Sequence, residues 1–348
     1  AQRAARLVEL DTVPGPLAAT SDAGIAAQEA AQLERTDPDV EEGADAVAAL
    51  ATAATTVTAT YRTPYLAHAP LEPMNATVHR QADRCDLWLP TQAPDMARSV
   101  AADIAGLPRG QVHVHSTFIG GGFGRRVMMD FVAEAVAIAG AVEVPVQLMW
   151  TREDDMRHGY FRQRTVHEMR GGLDASGSPV AWAHRQVATP TVPSLMTATA
   201  NVFLPEMLSA ERREGIGNWM AAKSVQLVAA FQAREGAEEL PYALPKQAFA
   251  QFAYDPGVPV SIWRSVGNSY NAFAVESFID ELATAANTDP AEFRRRLLRD
   301  PRHSAVLERV LAAADWSAPL PASRARGLAF VSSFGTHVAQ VAEVSVEG

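Results

Sequence analysis

The stretch Gln111-Val112-His113-Val114-His115-Ser116-Thr117-Phe118-Ile119-Gly120-Gly121-Gly122-Phe123-Gly124-Arg125-Arg126 decides how the chain is read. Its first eight residues alternate with the period of a strand, Val112, Val114 and Phe118 on one side. Met128 to Ala141 then has helical spacing, and Pro145 to Trp150 reads as a buried strand. In this strand, loop, helix, strand unit the glycines stand at the N-terminal end of the helix. Backbone N–H groups there receive an anion or a polar cofactor. A plain reversal needs one or two glycines, whereas Gly120, Gly121, Gly122 and Gly124 imply a backbone passing close to another group. Arg125 and Arg126 favour an anionic ligand. The alternative is a tight turn whose glycines serve only helix–strand packing. Phe123, inside the run, must either plug a core or face a pocket.

The loop is not a dinucleotide fingerprint, because the third glycine would fall on Arg125, and no Gly-Lys-Ser/Thr closes it as a phosphate-binding loop. Composition narrows the field further. The 348 residues are 48% hydrophobic and 20% charged, with a formal net charge of −10, the opposite of a nucleic-acid footprint. No apolar run approaches the roughly 18–20 residues of a membrane span; Glu134 and Glu143 interrupt Phe131 to Val146. One cysteine, Cys85, cannot build an internal disulfide, a cysteine zinc site or an iron–sulfur cluster. Redox work would therefore need a bound cofactor and an electron-accepting partner. An opening Ala1-Gln2-Arg3 gives the expectation of a processed or excised chain.

Residues 1–53, with Glu34, Asp37, Asp39, Glu41, Glu42 and Asp45, read as an acidic linker or the end of a preceding domain. Strands are expected at Ala54–Tyr61 and Arg84–Pro90, and a helix over Ala93–Leu107. A hairpin should turn at Asp174-Ala175-Ser176-Gly177. Helices follow around Trp219–Glu235, over Asn271–Ala286 and over Ser304–Ala314; Asp289-Pro290-Ala291-Glu292 supplies an N-cap, a first-position proline and a capping-box acid. Val341 to Gly348 alternates as a strand. The expected fold class is α+β, mixed sheets with packed helices, incomplete at both ends. Its expected units are 54–287 and the start of a second domain over 288–348.

Three other constellations carry chemistry. Arg264 and Gly267, in Trp263 to Asn271, precede a long helix; Arg264 could hold a developing negative charge or be a structural partner of a carboxylate. Thr151 to His158 holds three carboxylates and a histidine, but consecutive side chains diverge and Thr151 with Asp154 fits a helix cap. His113 and His115 share one strand face without carboxylate support.

Leu71-Glu72-Pro73, Thr91-Gln92, Gly120 to Gly124, Thr151 to Asp154, Trp263 to Gly267 and Val275 to Leu282 occur in one order. That order resembles the molybdenum-cofactor-binding subunit of the xanthine dehydrogenase and aldehyde oxidase family, nearest to the beta subunits of its isoquinoline 1-oxidoreductase branch. The resemblance covers residues 55 to 348. It implies hydroxylation of a heteroaromatic ring carbon or an aldehyde with oxygen from water. Molybdopterin with molybdenum, in the cytosine dinucleotide form, would be the cofactor, and no protein side chain would ligate the metal. Electrons would leave through [2Fe-2S] clusters on a small partner subunit. By position, Gln92 resembles the glutamine beside the metal's oxo group, and Gly121, Gly122, Phe123, Gly124, Arg125 and Gly267 resemble cofactor-contacting positions. Arg264 resembles the arginine that stabilises substrate charge in the transition state. Val127 stands where purine-oxidising members carry a substrate-binding glutamate, which suits a more apolar ring or an aldehyde. The family's base glutamate lies in a Gly-Glu-Pro that these 348 residues do not contain. The remaining part of the large subunit is therefore an expected partner, and turnover by this chain alone is not expected; the alternative reading is a non-catalytic binding or assembly module that keeps the fold. The branch's habit of export gives a periplasmic expectation, with the cytoplasm as the alternative.

Overall fold

The computed structural model describes residues 7–9, 11–142, 144–191, 195–196, 202–205, 207–238 and 240–346; Ala1, Gln2, Arg3, Glu143 and Gly348, named above, lie outside them. In chain order the strands are β1 (Val40–Glu42), β2 (Thr55–Thr63), β3 (Leu66–Ala67), β4 (Asn75–Arg80), β5 (Cys85–Leu89), β6 (Val112–Ser116), β7 (Val146–Met149), β8 (Phe161–Arg162), β9 (Thr165–Leu173), β10 (Pro179–Ala188), β11 (Gln247–Ala253), β12 (Arg324–Ser333) and β13 (Thr336–Ser345). The α-helices are α1 (Asp22–Leu33), α2 (Ala44–Ala51), α3 (Pro94–Ala105), α4 (Asp130–Ala139), α5 (Arg152–Arg157), α6 (Ala210–Arg234), α7 (Asn268–Ala285), α8 (Pro290–Leu297) and α9 (Pro301–Ala313).

One layer is the four-stranded sheet β6-β5-β4-β7, in which β5 and β6 are parallel and the other pairs antiparallel. Parallel neighbours need a crossover, and α3 supplies it. Pro94 opens α3 and Gly106, at φ +68°, closes it. Its buried Met96, Ala97, Ala101, Ala102 and Ala105, with Phe131, Val132, Ala135, Val136 and Ala139 of α4, meet Ala76, Val78, Leu87 and Leu89 of the sheet in one core. Burying each large side chain contributes about 1.5–3 kcal/mol. The strand at 145–150, expected to be buried, is instead an edge: β7 pairs only with β4, and Met149 is exposed.

The second sheet, β1-β11-β10-β9-β2, is parallel only between β10 and β11. The β9–β10 hairpin turns as expected, with Gly177 at φ +80° and the Asp174 carboxylate accepting the Ser176 and Ser178 N–H groups. Val275, Phe278, Ile279 and Leu282 of α7 pack on this sheet. Gly171 lets them approach, since a Cβ there would stand 2.7 Å from a Leu282 methyl.

Contacts among the described residues run across the positions near 53 and 287. Residues 40–42 of the acidic stretch pair with β11, and Ala49 and Leu50 of α2 are buried against Ala181 and Ala183. Their apolar spacing makes this part of the stretch sheet and covering helix rather than solvated linker. Phe278 and Ile279 share one core with Phe293, Leu307, Leu328 and Phe330. Buried Arg294 ties the same elements through Glu276, whose carboxylate also accepts the Phe330 N–H and the Tyr242 hydroxyl. Glu292 does not complete a capping box: Asp289 accepts both the Ala291 and Glu292 N–H groups, and Glu292 pairs with Arg296. Among the described residues, no helix is long and apolar enough to cross a membrane.

Candidate functional site

After β6 the chain leaves the sheet edge, with Phe118 fully exposed, and enters the glycine run. Gly121, Phe123 and Gly124 lie at φ +98°, +55° and +104°. Phenylalanine at positive φ is uncommon and marks a backbone held from outside. The run continues into a short 3-10 turn, Arg125–Val127, and α4 begins later with Met129 as its cap. The glycines therefore do not cap the α-helix, and the helix-end anion site expected from the sequence is not formed.

The arginines also depart from expectation. Arg125 is buried, forks onto both Asp130 oxygens at 2.8 and 2.6 Å, and lies 5.3 Å from the centre of the Trp150 ring. Arg126 is fully buried and donates to the carbonyls of Gly121 (2.8 Å), Pro90 (3.1 Å) and Glu72 (2.7 Å) and to the Glu72 carboxylate (3.0 Å). Neither guanidinium is exposed. All three Arg126 nitrogens donate within the fold, whereas the buried Arg125 Nε has no partner among the described residues, a cost that the Asp130 fork offsets.

The free groups lie elsewhere on the loop. Among the described residues, the N–H groups of Gly121, Gly122 and Phe123 have no hydrogen-bond partner, while Gly120 N–H donates to Glu72 and Gly124 N–H to the Gln92 side-chain oxygen (3.1 Å). That bond leaves the exposed Gln92 NH2 group without a partner among the described residues. A Cβ on Gly122 would stand 2.4 Å from the same Gln92 oxygen, and one on Gly124 would stand 2.1 Å from the Ile262 carbonyl. The loop is thus pressed onto two other segments.

The segment at 262–266 is one of them. The Arg264 N–H donates to the Phe123 carbonyl (2.9 Å). Ser265 and Val266 follow at φ +77° and +45°, a costly conformation for a β-branched residue. The Arg264 side chain is exposed and has no ion-pair or hydrogen-bond partner among the described residues. His68 supports this segment from beneath, donating from Nε2 to the Ile262 carbonyl (2.9 Å) and stacking on Trp263 at 4.8 Å. Burial, then repulsion from Arg125, pushes its pKa down, so it is a neutral prop.

The structure accordingly brings Gln92, Gly121, Gly122, Phe123, Gly124 and Arg264 together and leaves out two expected members. Arg125 is one. Gly267 is the other: its N–H is already accepted by the Glu235 carboxylate at 3.0 Å, and burial raises the Glu235 pKa. Val127 packs against the first core. Thr151 and Asp154 form the expected reciprocal cap. Arg152 next to them holds the Pro70 and Leu71 carbonyls, making 151–155 a support for the loop before Glu72. His115 donates to Asp86 at 3.0 Å and stacks on Trp88. No group of three or more histidine, cysteine or acidic side chains fit to hold a metal occurs among the described residues. Sequence reading missed His68 and the role of Glu72. No pattern marks the first, while the acid in Leu71-Glu72-Pro73 was a signal for the second.

Residues 28–199 match the model of the molybdopterin cofactor-binding domain. The chain is 30% identical over 282 residues to the beta subunit of isoquinoline 1-oxidoreductase from Brevundimonas diminuta, covering 79% of this chain and 33% of that protein. To a nicotinate dehydrogenase subunit of Pseudomonas putida it is 28% identical over 322 residues, covering 90% of this chain and 25% of that protein. Among solved structures, the aldehyde oxidoreductase of Desulfovibrio gigas shares the fold, with a TM-score of 0.60 at 18% identity over 84% of this chain and 31% of its own. The chain thus spans a quarter to a third of the length of these curated relatives.

Proposed function

Residues 28–199 belong to the molybdopterin cofactor-binding domain family, and from that premise we propose that the chain forms one wall of a molybdenum–pterin site in an oxidoreductase acting on N-heteroaromatic compounds or aldehydes. The observation that carries the reading is the convergence of three unpartnered N–H groups, at Gly121, Gly122 and Phe123, with the unpartnered Arg264 cation. Such donors match an anionic, oxygen-rich group, and the missing Cβ atoms at Gly122 and Gly124 let the loop that carries them seat against Gln92 and the Ile262 carbonyl.

The bound group would supply the two-electron oxidation of a substrate carbon, with oxygen drawn from water. The chain's own residues bind and orient. The loop amides and the Gln92 NH2 group receive oxygens of the cofactor, and Arg264 balances negative charge growing on the substrate. Phe123, whose ring lies against Gly121, screens the approach from water. The substrate class is supported by the heterocycles in the names of the two relatives. A single buried cysteine supports iron–sulfur clusters on a partner subunit. The cytosine dinucleotide form of the cofactor and a periplasmic location are extensions of the same family reading.

Metal and pterin analysis, with dye-linked oxidation of an aldehyde or azaheterocycle, tests the proposal. For the 348 residues alone we expect little molybdenum and no turnover; near-stoichiometric molybdenum with turnover would overturn the one-wall reading. Failure to retain pterin when produced with an iron–sulfur partner and the remainder of the large subunit would overturn the cofactor assignment itself.

A further inference from the structure

Three segments that are distant in sequence, at 70–73, 90–92 and 120–126, meet at one side chain. Arg126 Nε donates to the Gly121 carbonyl at 2.8 Å, Nη1 to Pro90 at 3.1 Å, and Nη2 to Glu72 at 2.7 Å and Pro73 at 3.4 Å. Its own carbonyl accepts the Gln92 N–H at 3.1 Å and the Thr91 hydroxyl at 3.3 Å. Glu72 closes the assembly. One carboxylate oxygen accepts both Arg126 Nη2 (3.0 Å) and the Gly120 N–H (2.9 Å), its N–H donates back to the Gly120 carbonyl (3.1 Å), and Asn75 holds the other oxygen (3.0 Å).

We propose that Arg126 and Glu72 are a positioning pair that aims the Gly121, Gly122 and Phe123 N–H groups outward and sets Gln92 beside them. This rests on the wall assigned above and adds the residues that hold it in shape. The argument is one of saturation. Gly120 N–H and Gly121 carbonyl, which flank the free donors on one side, are both fixed by the pair. On the other side Gly124 N–H and Phe123 carbonyl are fixed by Gln92 and Arg264. With its neighbours tied, the run between them has one orientation. A fully buried guanidinium is a poor way to gain stability, since an apolar side chain of equal volume does as well or better. What it supplies is a planar fork able to hold carbonyls in three directions at once. A lysine, one nitrogen on a flexible stem, does not supply that.

The experiment is amide exchange by NMR on the full 348-residue chain, followed by titration with molybdate as an oxoanion probe. Arg126→Lys and Glu72→Ala should raise exchange at Gly120 at least 10-fold while strand amides in β4 and β5 keep theirs. Glu72→Gln, which retains an oxygen at the same reach, should restore protection of Gly120. Molybdate should shift the Gly121–Phe123 amides of the parent chain and bind the two disruptive variants at least 10-fold more weakly. If Arg126→Lys does not fold, Glu72→Ala decides, since that side chain is a third exposed (34%). Unchanged exchange at Gly120, or loosened exchange with unchanged molybdate affinity, overturns the positioning pair. A parent chain whose loop ignores molybdate counts instead against the cofactor wall, and the exchange data then still decide the clamp.

Discussion

Replacing Gly124 with alanine tests whether the glycine loop is pressed onto the 262–264 segment. The new Cβ would stand 2.1 Å from the Ile262 carbonyl oxygen. Ordinary contact begins at 3.4 Å, so one backbone must retreat by roughly 1.3 Å, the difference of the two. The Ile262 carbonyl is held by His68 and cannot swing away freely. The loop should therefore move, breaking the Arg264 N–H bond to the Phe123 carbonyl, worth about 0.5–1.5 kcal/mol. Alanine at φ +104° adds backbone strain of about 1–3 kcal/mol. Together the loss is about 1.5–4.5 kcal/mol in urea unfolding. Displacement of about 1 Å at the reacting centre costs on the order of 10²-fold in rate, read as dye-linked turnover in the complete enzyme. Gly110→Ala is the control, because nothing lies within 4 Å of its Cβ; it should change stability by less than about 0.5 kcal/mol. A Gly124→Ala protein with parental stability and turnover would refute the claim that the two segments touch.

Arg264→Ala should leave unfolding within about 0.5 kcal/mol of the parent, since its side chain makes no bond among the described residues. Turnover in the complete enzyme should fall on the order of 10²–10³-fold; a loss of stability with unchanged turnover would make Arg264 structural. Val266→Gly should raise the urea midpoint by the equivalent of about 1 kcal/mol, relief of strain at φ +45° exceeding the entropy cost of glycine, and a lowered midpoint would show that the conformation is not strained. Glu276→Ala should cost about 3–5 kcal/mol by stranding buried Arg294, and a smaller loss in calorimetry would mean Asp280 suffices as its counter-ion. His184, whose Nε2 meets His167 Nδ1 at 2.9 Å, has its pKa pushed down to about 3 by burial, and His167 is also held well below the usual value. Its unfolded pKa is about 6.5, so between those values the unfolded chain binds the extra proton. Stability must then fall as pH drops below about 6.5, by up to about 1.4 kcal/mol per unit for each such histidine. His184→Gln should flatten that slope by one proton between pH 6 and 4.5 in urea titrations; an unchanged slope would place the acid sensitivity elsewhere.

How much of this was legible in the sequence depends on the distance over which each feature is decided. The β9–β10 turn and the Asp289 cap are settled within a few residues, and the structure forms both where the sequence placed them. The α7 core face is likewise a matter of helical period. The sheet-edge status of β7 was not legible, because a strand's neighbours are chosen by the whole topology. The same holds for the site. Glycines at 122 and 124 announce close approach, but not that the approaching groups are Gln92 and Ile262. The arginines show the difficulty most clearly. Beside a glycine loop, an arginine is either a charge presented to a ligand or a set of donors used within the fold, and both readings fit the same two letters. Arg126 belongs to the second kind because carbonyls from 36 and 54 residues away join the nearby Gly121 carbonyl on its guanidinium, beyond any local pattern. Arg264 is the one we propose for the first kind: its exposed side chain has no hydrogen-bond or ion-pair partner among the described residues. A fully buried guanidinium costs least when its donors are satisfied, so the accounting of donors, rather than the charge, separates the residue that shapes the loop from the one proposed to face a ligand.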